Sequence, residues 1–355
     1  MRHGFLGEGS LGPRIPAEGW CRAPEGTADL AEREIYYSWA LREALAEEME
    51  RDARVFCIGE DIAEYGGAFK VTEGLLERFG PQRVRNTPIS ENTIVGVATG
   101  AAVNGMRPVA EIMFMDFITL AMDQLVNHAA KYRYMYGPQA RVPLVVRTPA
   151  GAGRGYGATH SQSLEGWFMG VPGLKVVAPS SPADAKGLLK SAIRDDNPVL
   201  FVEHKLLYGK RGPVPEGEYL TPIGEAAVLR EGDDVSLISY SRMATECLAA
   251  ADMLQAEGIR AEVIDLRTLA PLDADTVAVS VEKTGKAVLV EEGVVFGGVC
   301  AEVGFRIVEE CFEYLEAPLV RLGQPMAPIP CAASLERRML PNANSIADAA
   351  RQVLG

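Results

Sequence analysis

The length, composition and charge of the chain limit the class of protein it can be. Its 355 residues exceed what one compact core usually holds, so we expect two domains. Asp and Glu number 48 against 35 Lys and Arg, and the net charge of −13 argues against a nucleic-acid partner, because phosphate contacts need a basic face. No apolar run reaches the roughly 18–20 residues that cross a bilayer, so we predict no membrane partner either.

The N-terminus and the cysteines give two further expectations. Residues 1–30 are rich in glycine, proline and charge and lack the apolar core of a signal peptide, so they are predicted to be a flexible tail. The six cysteines form no CxxC pair and have no histidine at metal-ligand spacing. They indicate buried thiols in a reducing compartment.

Residues 31–207 alternate between helical and strand patterns. The predicted strands include VFCIGED, PVAEIMF, PLVVRTPAG, LKVVAPS and PVLFVEHK, and the predicted helices include IYYSWALREALAEEMERD, ENTIVGVATGAAVNG, ITLAMDQLVNHAAKYRYMYG and SPADAKGLLKSAIRDD. Short Val, Ile and Leu runs separated by helices are typical of a parallel sheet covered on both faces. We therefore predict a doubly wound α/β domain.

A second unit follows a change of composition. Residues 208–225 are rich in proline and glycine and are predicted to be a linker. In residues 226–355 the strands DVSLISY, RAEVIDLRT and KAVLVEEG again alternate with helices, which predicts a smaller α/β domain. This unit has no histidine and no glycine-rich phosphate loop, so docking or assembly fits it better than chemistry.

The segment from Arg85 to Phe117 places one carboxylate, Glu91, at the beginning of an apolar and glycine-rich helix. Glu91 is open to two interpretations. It can be a helix-start acid that the helix dipole stabilises. Alternatively, because the helix has almost no polar side chain before Asn104 and looks buried, the carboxylate needs a partner of its own.

A second candidate is the loop GAGRGYGATHSQSLEG, which follows a predicted strand and contains His160. Ligands of open parallel sheets bind at the loops after the carboxyl ends of strands. His160 can be an ordinary surface histidine, but so many glycines are conformationally costly unless something must approach the loop closely. His128 and His204 are predicted to be structural.

Two further features remain open. The turn from Arg194 to Asn197, within IRDDNP, is typical of a simple turn before proline, yet its oxygens also suit a hard cation. Tyr132, Tyr134 and Tyr136 are consistent with a pocket or with a subunit contact.

Several segments in register resemble one family: TPISE, GMRPVAEIMFMDF, AAKYRYMYG, THSQSLEGWF, PGLKVVAPSSPADAKGLLKSAIRDDNPV and EVIDLRTLAPLD. They are similar to the beta subunit of thiamine-diphosphate-dependent 2-oxo acid dehydrogenases, the decarboxylating component of pyruvate, branched-chain 2-oxo acid or acetoin dehydrogenase complexes. The resemblance runs from about Ile35 to the C-terminus. It implies a transketolase-type pyrimidine-binding domain followed by a transketolase C-terminal domain.

The resemblance also implies a division of labour between subunits. In this family an alpha subunit binds the diphosphate and its magnesium through a GDG motif followed by Asn, and this sequence lacks that motif. We therefore expect this chain to hold the aminopyrimidine half of thiamine diphosphate in an assembly of two alpha and two beta chains. The assembly would acylate a lipoyl-bearing acyltransferase core. The expected compartment is a bacterial cytoplasm, with the mitochondrial matrix as the alternative.

Individual residues match family positions. Glu91 matches the glutamate that hydrogen-bonds the pyrimidine ring nitrogen, Phe117 the aromatic side chain that packs on that ring, and His160 the histidine that faces the reacting carbon and takes part in acyl transfer to lipoamide. The resemblance further implies a structural potassium ion held mostly by backbone oxygens at Leu144, Ala192, Ile193, Asp195 and Asn197.

The substrate and the rival functions complete the expectations. The loop GEDIAEYGGAFKV resembles pyruvate enzymes, whereas AAKYRYMYG and THSQSLEG are close to acetoin-type chains, so we favour pyruvate and keep acetoin and branched-chain 2-oxo acids as alternatives. A non-catalytic scaffold that only docks the acyltransferase core is disfavoured because Glu91 and His160 are both present. A nucleotide-binding flavoprotein subunit is disfavoured because the dinucleotide-binding glycine loop is missing.

Overall fold

The structure, a computed structural model, describes residues 31–355. The predicted tail at residues 1–30 lies outside the described residues. The strands of the first part are β1 Glu32–Tyr36, β2 Val55–Gly59, β3 Val84–Asn86, β4 Arg107–Glu111, β5 Val145–Ala150, β6 Lys175–Val177, β7 Val199–His204 and β8 Arg211–Pro215. Its α-helices are α1 Tyr37–Arg51, α2 Leu75–Phe79, α3 Glu91–Val103, α4 Tyr132–Tyr136, α5 Gly166–Met169 and α6 Pro182–Arg194.

The second part repeats the alternation. Its strands are β9 Ala227–Arg230, β10 Val235–Ser239, β11 Ala261–Asp265, β12 Thr268–Ala270, β13 Ala287–Val294 and β14 Val320–Gln324. Its α-helices are α7 Ser241–Gln255, α8 Ala274–Thr284, α9 Val299–Cys311, α10 Ala333–Met339 and α11 Ala343–Leu354. Several helices begin at side-chain caps that the sequence supplies, for example Asp273, whose carboxylate accepts from the N–H of Thr276.

Two sheets organise the chain. The larger has seven strands in the order β12-β6-β7-β5-β4-β2-β3, and all neighbours run parallel except β12, which pairs antiparallel with β6. The smaller has five strands in the order β14-β13-β10-β11-β9, with β9 antiparallel to β11. Strands such as β2, β5 and β7 are buried along their whole length, which explains their continuous apolar sequences.

The two parts are tied together by more than one contact. Strand β12 comes from the second part but completes the sheet of the first. A single buried apolar cluster contains Ile94 and Val146 from the first part together with Ile264 and Leu289 from the second. The relative position of the two parts is therefore fixed by shared packing.

The segment predicted as a linker, residues 208–225, is ordered into specific contacts. Strand β8 within it pairs antiparallel with β1, from Glu32 opposite Pro215 to Tyr36 opposite Arg211. Farther on, Tyr219 is buried and its hydroxyl donates to the carbonyl oxygen of Ala183 at 2.9 Å. This segment therefore packs against the first domain as well as connecting the two.

The long helix predicted over ITLAMDQLVNHAAKYRYMYG is wrong as a single element. The structure has a 3-10 helix at Met115–Ala121, a π-helix at Asp123–Ala129 and then the short helix α4. Tertiary bonding explains the irregular beginning, because the buried carboxylate of Asp116 accepts from both the backbone N–H and the side-chain amide of Gln162, at 3.2 and 2.8 Å. Such irregular helical turns are common at functional sites.

The prediction of buried thiols is confirmed for four cysteines and wrong for a fifth. Cys57, Cys247, Cys300 and Cys311 are free and buried, and Cys331 is free and exposed. Cys21 lies outside the described residues. Across residues 31–355, every helix is too short or too polar to span a bilayer.

Candidate active site

The sequence candidates collect at the carboxyl edge of the larger sheet. Glu60 follows the end of β2, Glu91 begins the helix after β3, Phe117 follows β4, and His160 lies in the loop after β5. In a parallel sheet these strand ends share one edge, so four separate stretches of sequence supply side chains to the same region.

Glu91 is buried at this edge, with 7% of its surface exposed. The N-cap residue Ser90 gives α3 no side-chain cap, because its hydroxyl bonds the side chain of Asn92 at 2.8 Å instead. The expectation of a fully buried helix is wrong: Ile94 and its neighbours face the core, but Val97 on the opposite face is exposed. The apolar sequence of α3 therefore covers both a core face and an open face.

Sequence reasoning missed a second buried carboxylate, Glu60, which lies close enough to Glu91 to feel its charge. Glu60 is buried, and within the described part of the chain its Oε1 has no hydrogen-bond partner. Burial raises the pKa of Glu60, and the negative charge of Glu91 raises it further. The available signal was an acid placed directly after a fully apolar strand. The pair leaves hydrogen-bonding capacity for a ligand, because a buried oxygen without a partner is costly.

The rings of Phe117 and His160 are in direct contact. Their centroids are 5.1 Å apart at an interplanar angle of 89°, and Phe114 meets His160 in a similar way at 5.2 Å. The hydroxyl of Thr159 lies 3.1 Å from Nδ1 of His160. The imidazole is half-buried, so it is held by aromatic edges while part of it remains accessible.

A buried lysine holds the base of the His160 loop. Nζ of Lys205 donates to the carbonyl oxygens of Gly151 and His160, at 2.8 and 2.7 Å, and lies 5.2 Å from the ring centroid of Phe114. Burial lowers the pKa of Lys205 to about 8. The two ends of the glycine-rich stretch are thus joined through one ammonium group.

The second domain also bonds to this loop, which its sequence did not indicate. Glu292 accepts from the N–H of Ala152 at 2.6 Å, and Glu336 accepts from the N–H groups of Gly153 and Gly155. Burial, the largest single effect, opposes the charge of Glu292, but His204 at 2.9 Å, Arg242 and the N–H of Ala152 together lower the pKa of Glu292 to about 2. The expectation that the second domain serves docking alone is incomplete, because its carboxylates shape the candidate site.

An ionic cluster lies under the site. Arg147 donates to Glu111 at 2.8 Å and to both oxygens of Glu203, at 2.6 and 2.8 Å, and Tyr208 donates to Glu203 at 2.6 Å. All four side chains are buried. This cluster joins β4, β5 and β7 and so fixes the strands from which the site loops emerge.

The two other histidines in residues 31–355, His128 and His204, have contacts that fit the predicted structural roles. Nδ1 of His128 lies 3.1 Å from the Tyr132 hydroxyl, and its Nε2 lies 3.3 Å from Asp123. His204 is buried in its pairing with Glu292 between the two domains.

The turn predicted to bind potassium is already in contact with the positive side chain of Arg107. Arg107 donates to the carbonyl oxygens of Ile193 and Asp195, at 2.9 and 3.0 Å. The carbonyl of Leu144 accepts from the N–H of Val199 at 2.9 Å. In residues 31–355, no group of three or more His, Cys, Asp or Glu side chains is arranged to hold a metal ion.

Comparisons with known proteins agree with this architecture. The chain matches the family "Transketolase, pyrimidine binding domain" over residues 33–210 and "Transketolase, C-terminal domain" over residues 224–346. A solved structure described as a split gene transketolase, an inactive beta4 tetramer, is similar at a TM-score of 0.73 and 25% identity, covering 90% of this chain and 98% of that chain. The predicted α/β fold is confirmed.

Two curated relatives narrow the family. The chain is 48% identical over 317 residues to pyruvate dehydrogenase E1 component subunit beta-1, mitochondrial, of Arabidopsis thaliana, which covers 88% of this chain and 87% of that protein. It is also 48% identical over 314 residues to the pyruvate dehydrogenase E1 component subunit beta of Rickettsia felis, covering 88% and 96%. The chain therefore belongs to the family of pyruvate dehydrogenase E1 beta subunits, a branch of the transketolase-like proteins.

Proposed function

We propose that the chain is the beta subunit of a pyruvate dehydrogenase that works only with an alpha subunit. The reaction would be thiamine-dependent oxidative decarboxylation of pyruvate with reductive acetylation of a lipoyl domain. One observation carries the proposal: in a chain of this family, buried Glu91 lies at the sheet edge that also presents the contacting rings of Phe117 and His160.

The residues at this edge fit the aminopyrimidine of thiamine diphosphate. Glu91 is a buried carboxylate at the opening of the site, and neighbouring Glu60 has an oxygen without a hydrogen-bond partner in the described residues. An aminopyrimidine offers ring nitrogens and an amino group to such oxygens and an aromatic face to a side chain such as Phe117. We therefore assign Glu91 and Phe117 to cofactor binding.

The chain's own side chains have distinct tasks in the proposed reaction. Thiamine diphosphate, when bound, supplies the nucleophilic carbon and the electron sink. Glu91 would share a proton with the pyrimidine ring nitrogen. His160 would give or take a proton at the substrate oxygen and during transfer to the lipoyl group, a task suited to an imidazole, whose two ring nitrogens can donate and accept.

Exposed apolar side chains support the proposal that this chain binds a partner subunit. The open face of α3 exposes Val97 and Val103, Ile89 next to it is exposed, and Tyr134 at the end of the broken helix is 92% exposed. We assign these exposed apolar side chains to the contact surface for the alpha subunit. Since the sequence also lacks a GDG motif, the alpha subunit would hold the diphosphate and the magnesium, in an assembly of two alpha and two beta chains. The acyltransferase core would receive the acetyl group.

The potassium site and the compartment are proposals of the same kind. Backbone oxygens at Leu144, Ala192, Ile193, Asp195 and Asn197 would hold the ion, sharing two of their carbonyls with Arg107. A melting temperature of the assembly that is higher in KCl than in choline chloride at equal ionic strength would support it. The relatives named above are bacterial and mitochondrial, and we propose a bacterial cytoplasm, with the mitochondrial matrix as the alternative.

Reconstitution with the alpha subunit tests the proposed function. The complex is supplied with thiamine diphosphate and magnesium and is offered pyruvate, 2-oxoisovalerate and acetoin, each with a lipoyl domain as acceptor. We expect the highest kcat/KM for pyruvate. A preference for acetoin or 2-oxoisovalerate would show that this compound, and not pyruvate, is the substrate. If none of the three is turned over in a thiamine-dependent reaction, the chain would be a non-catalytic scaffold.

A further inference from the structure

We propose that Glu336 is a positioning residue for His160: a carboxylate from the second domain fixes the backbone of the loop that carries the histidine. The proposal rests on the proposed function for the role of His160. The loop geometry itself, however, does not depend on that function and can be measured separately.

The loop backbone is shaped to surround an anion. Gly151, Gly153, Gly155 and Gly157 all have positive φ, at 90°, 96°, 69° and 77°. Glycine adopts this conformation without the strain that other residues incur. Turns through this conformation can point several N–H groups toward one place and create a concave anion site. Here the anion is the side chain of Glu336.

The contacts of Glu336 are specific. Oε1 accepts from the N–H of Gly153 at 2.8 Å and from that of Gly155 at 3.2 Å, and Oε2 accepts from the N–H of Gly155 at 3.0 Å. Only 2% of the residue is exposed. Hydrogen bonds from N–H groups to a carboxylate are roughly twice as strong as those between neutral groups. A neutral side chain in place of Glu336 should therefore bind the loop backbone more weakly.

The loop is also enclosed sterically. A Cβ on Gly153 would lie 2.5 Å from Leu206, and one on Gly157 would lie 2.5 Å from Sγ of Cys331. The segment that carries Cys331 and Glu336 therefore packs directly on the loop. At both positions the positive φ favours glycine, and the space beside the backbone is small.

The two ends of the loop are held by a charge of the other sign. Lys205 bonds the carbonyl oxygens of Gly151 and His160, whereas Glu336 bonds the N–H groups between them. Together the two side chains fix the path of the backbone into His160. The ring can then meet Phe117 in one orientation, and a displacement of about 1 Å at a reacting group can cost about 10²-fold in rate.

Hydrogen exchange on the reconstituted alpha–beta complex measures the loop directly. Wild type is compared with Glu336→Gln, which keeps the shape but loses one acceptor oxygen, and with Glu336→Ala, which loses both. The matched control is Glu291→Gln, because Glu291 is another buried carboxylate of the second domain that accepts two backbone N–H groups, those of Val299 and Cys300. We expect exchange in the peptide covering residues 151–160 to rise at least tenfold in both Glu336 variants and not in the control.

Kinetics on the same samples separate positioning from general destabilisation. We expect lipoyl acetylation to fall about 10–100-fold in Glu336→Gln, with a much smaller change in the KM for pyruvate, while Glu291→Gln keeps its rate within about twofold. Unchanged exchange at residues 151–160 would overturn the proposal, and so would faster exchange with a normal acetylation rate. If wild type itself fails to turn over pyruvate, the proposed function fails, whereas the exchange result still decides whether Glu336 holds the loop.

Discussion

The imidazole of His160 meets the ring of Phe117 edge to face, with the centroids 5.1 Å apart and the planes at 89°. The two residues follow different strands of the sheet, β5 and β4, so the tertiary fold brings their rings together. Their contact gives the proposed proton-transfer group a fixed aromatic support next to the ring proposed to pack on the cofactor.

Replacement of His160 should separate two half-reactions. In His160→Ala we expect acetyl transfer to the lipoyl domain to fall by about 10²–10⁴-fold, the usual contribution of a positioned acid–base group. Decarboxylation followed with an artificial electron acceptor should fall much less. Parallel assays with the two acceptors measure this. His128→Ala is the control, because His128 bonds only within its own helical segment among its described partners, and equal losses in both assays would contradict the assigned role.

Replacement of Glu91 should abolish activity without unfolding the chain. We expect Glu91→Gln to lower pyruvate turnover in the complex by at least about 10²-fold, because an amide cannot share the proton that a carboxylate shares. The matched control is Glu77→Gln, since Glu77 is an exposed acid in the first turn of α2 and has the helix-dipole role without the burial. If both variants retained activity and lost the same small amount of stability, Glu91 would be a helix-start acid only.

The buried cluster around Arg147 should be a major stabilising feature. Arg147→Met leaves Glu111 and Glu203 buried without their cation, which typically costs about 3–5 kcal/mol. Denaturant unfolding compared with Arg141→Met checks this. Arg141 pairs with Asp196 at 3.0 Å but is largely exposed, so its loss should cost at most about 1 kcal/mol. Similar losses in the two variants would show that the buried cluster contributes little.

Glu165 should make stability fall as the pH rises. Burial raises its pKa to about 7, well above the usual 4.5, so the folded state keeps a proton that the unfolded state has released. Its contribution is therefore present below about pH 4.5 and is lost between that pH and about 7. In Glu165→Gln, the amide oxygen can still accept from the Tyr240 hydroxyl, which bonds Oε1 at 2.9 Å.

The corresponding measurement is the melting temperature at two pH values. At pH 8 we expect Glu165→Gln to melt about 2–4 °C above wild type, whereas at pH 5 the two should differ by less. Glu310→Gln, at an exposed position of α9, controls for the loss of one charge. A constant difference between Glu165→Gln and wild type at both pH values would contradict the proposed titration.

Much of the fold was predictable because buried strands have a recognisable local sequence pattern. Strands β2, β5 and β7 are buried on both faces, so each is a continuous apolar run that stands out between helices. The pairing of β8 with β1 and the insertion of β12 into the first sheet were not predicted. Short strands of mixed composition carry no such signal, because their partners lie far away in sequence.

The residues of the candidate site also fall into two groups, those that the sequence predicted and those that only the structure revealed. The sequence by itself determined the family, and it suggested the proposed roles of Glu91, Phe117 and His160, because these residues lie in short motifs in which residue type and spacing are both informative. Only the tertiary structure decided that Glu60 feels the charge of Glu91, that Lys205 joins Gly151 to His160, and that Glu336 bonds the loop from the second domain. The physical reason is that the sequence does not show whether a charged side chain is solvated or buried. The role of a buried charge depends on which groups, distant in sequence, take the place of water as its hydrogen-bond partners.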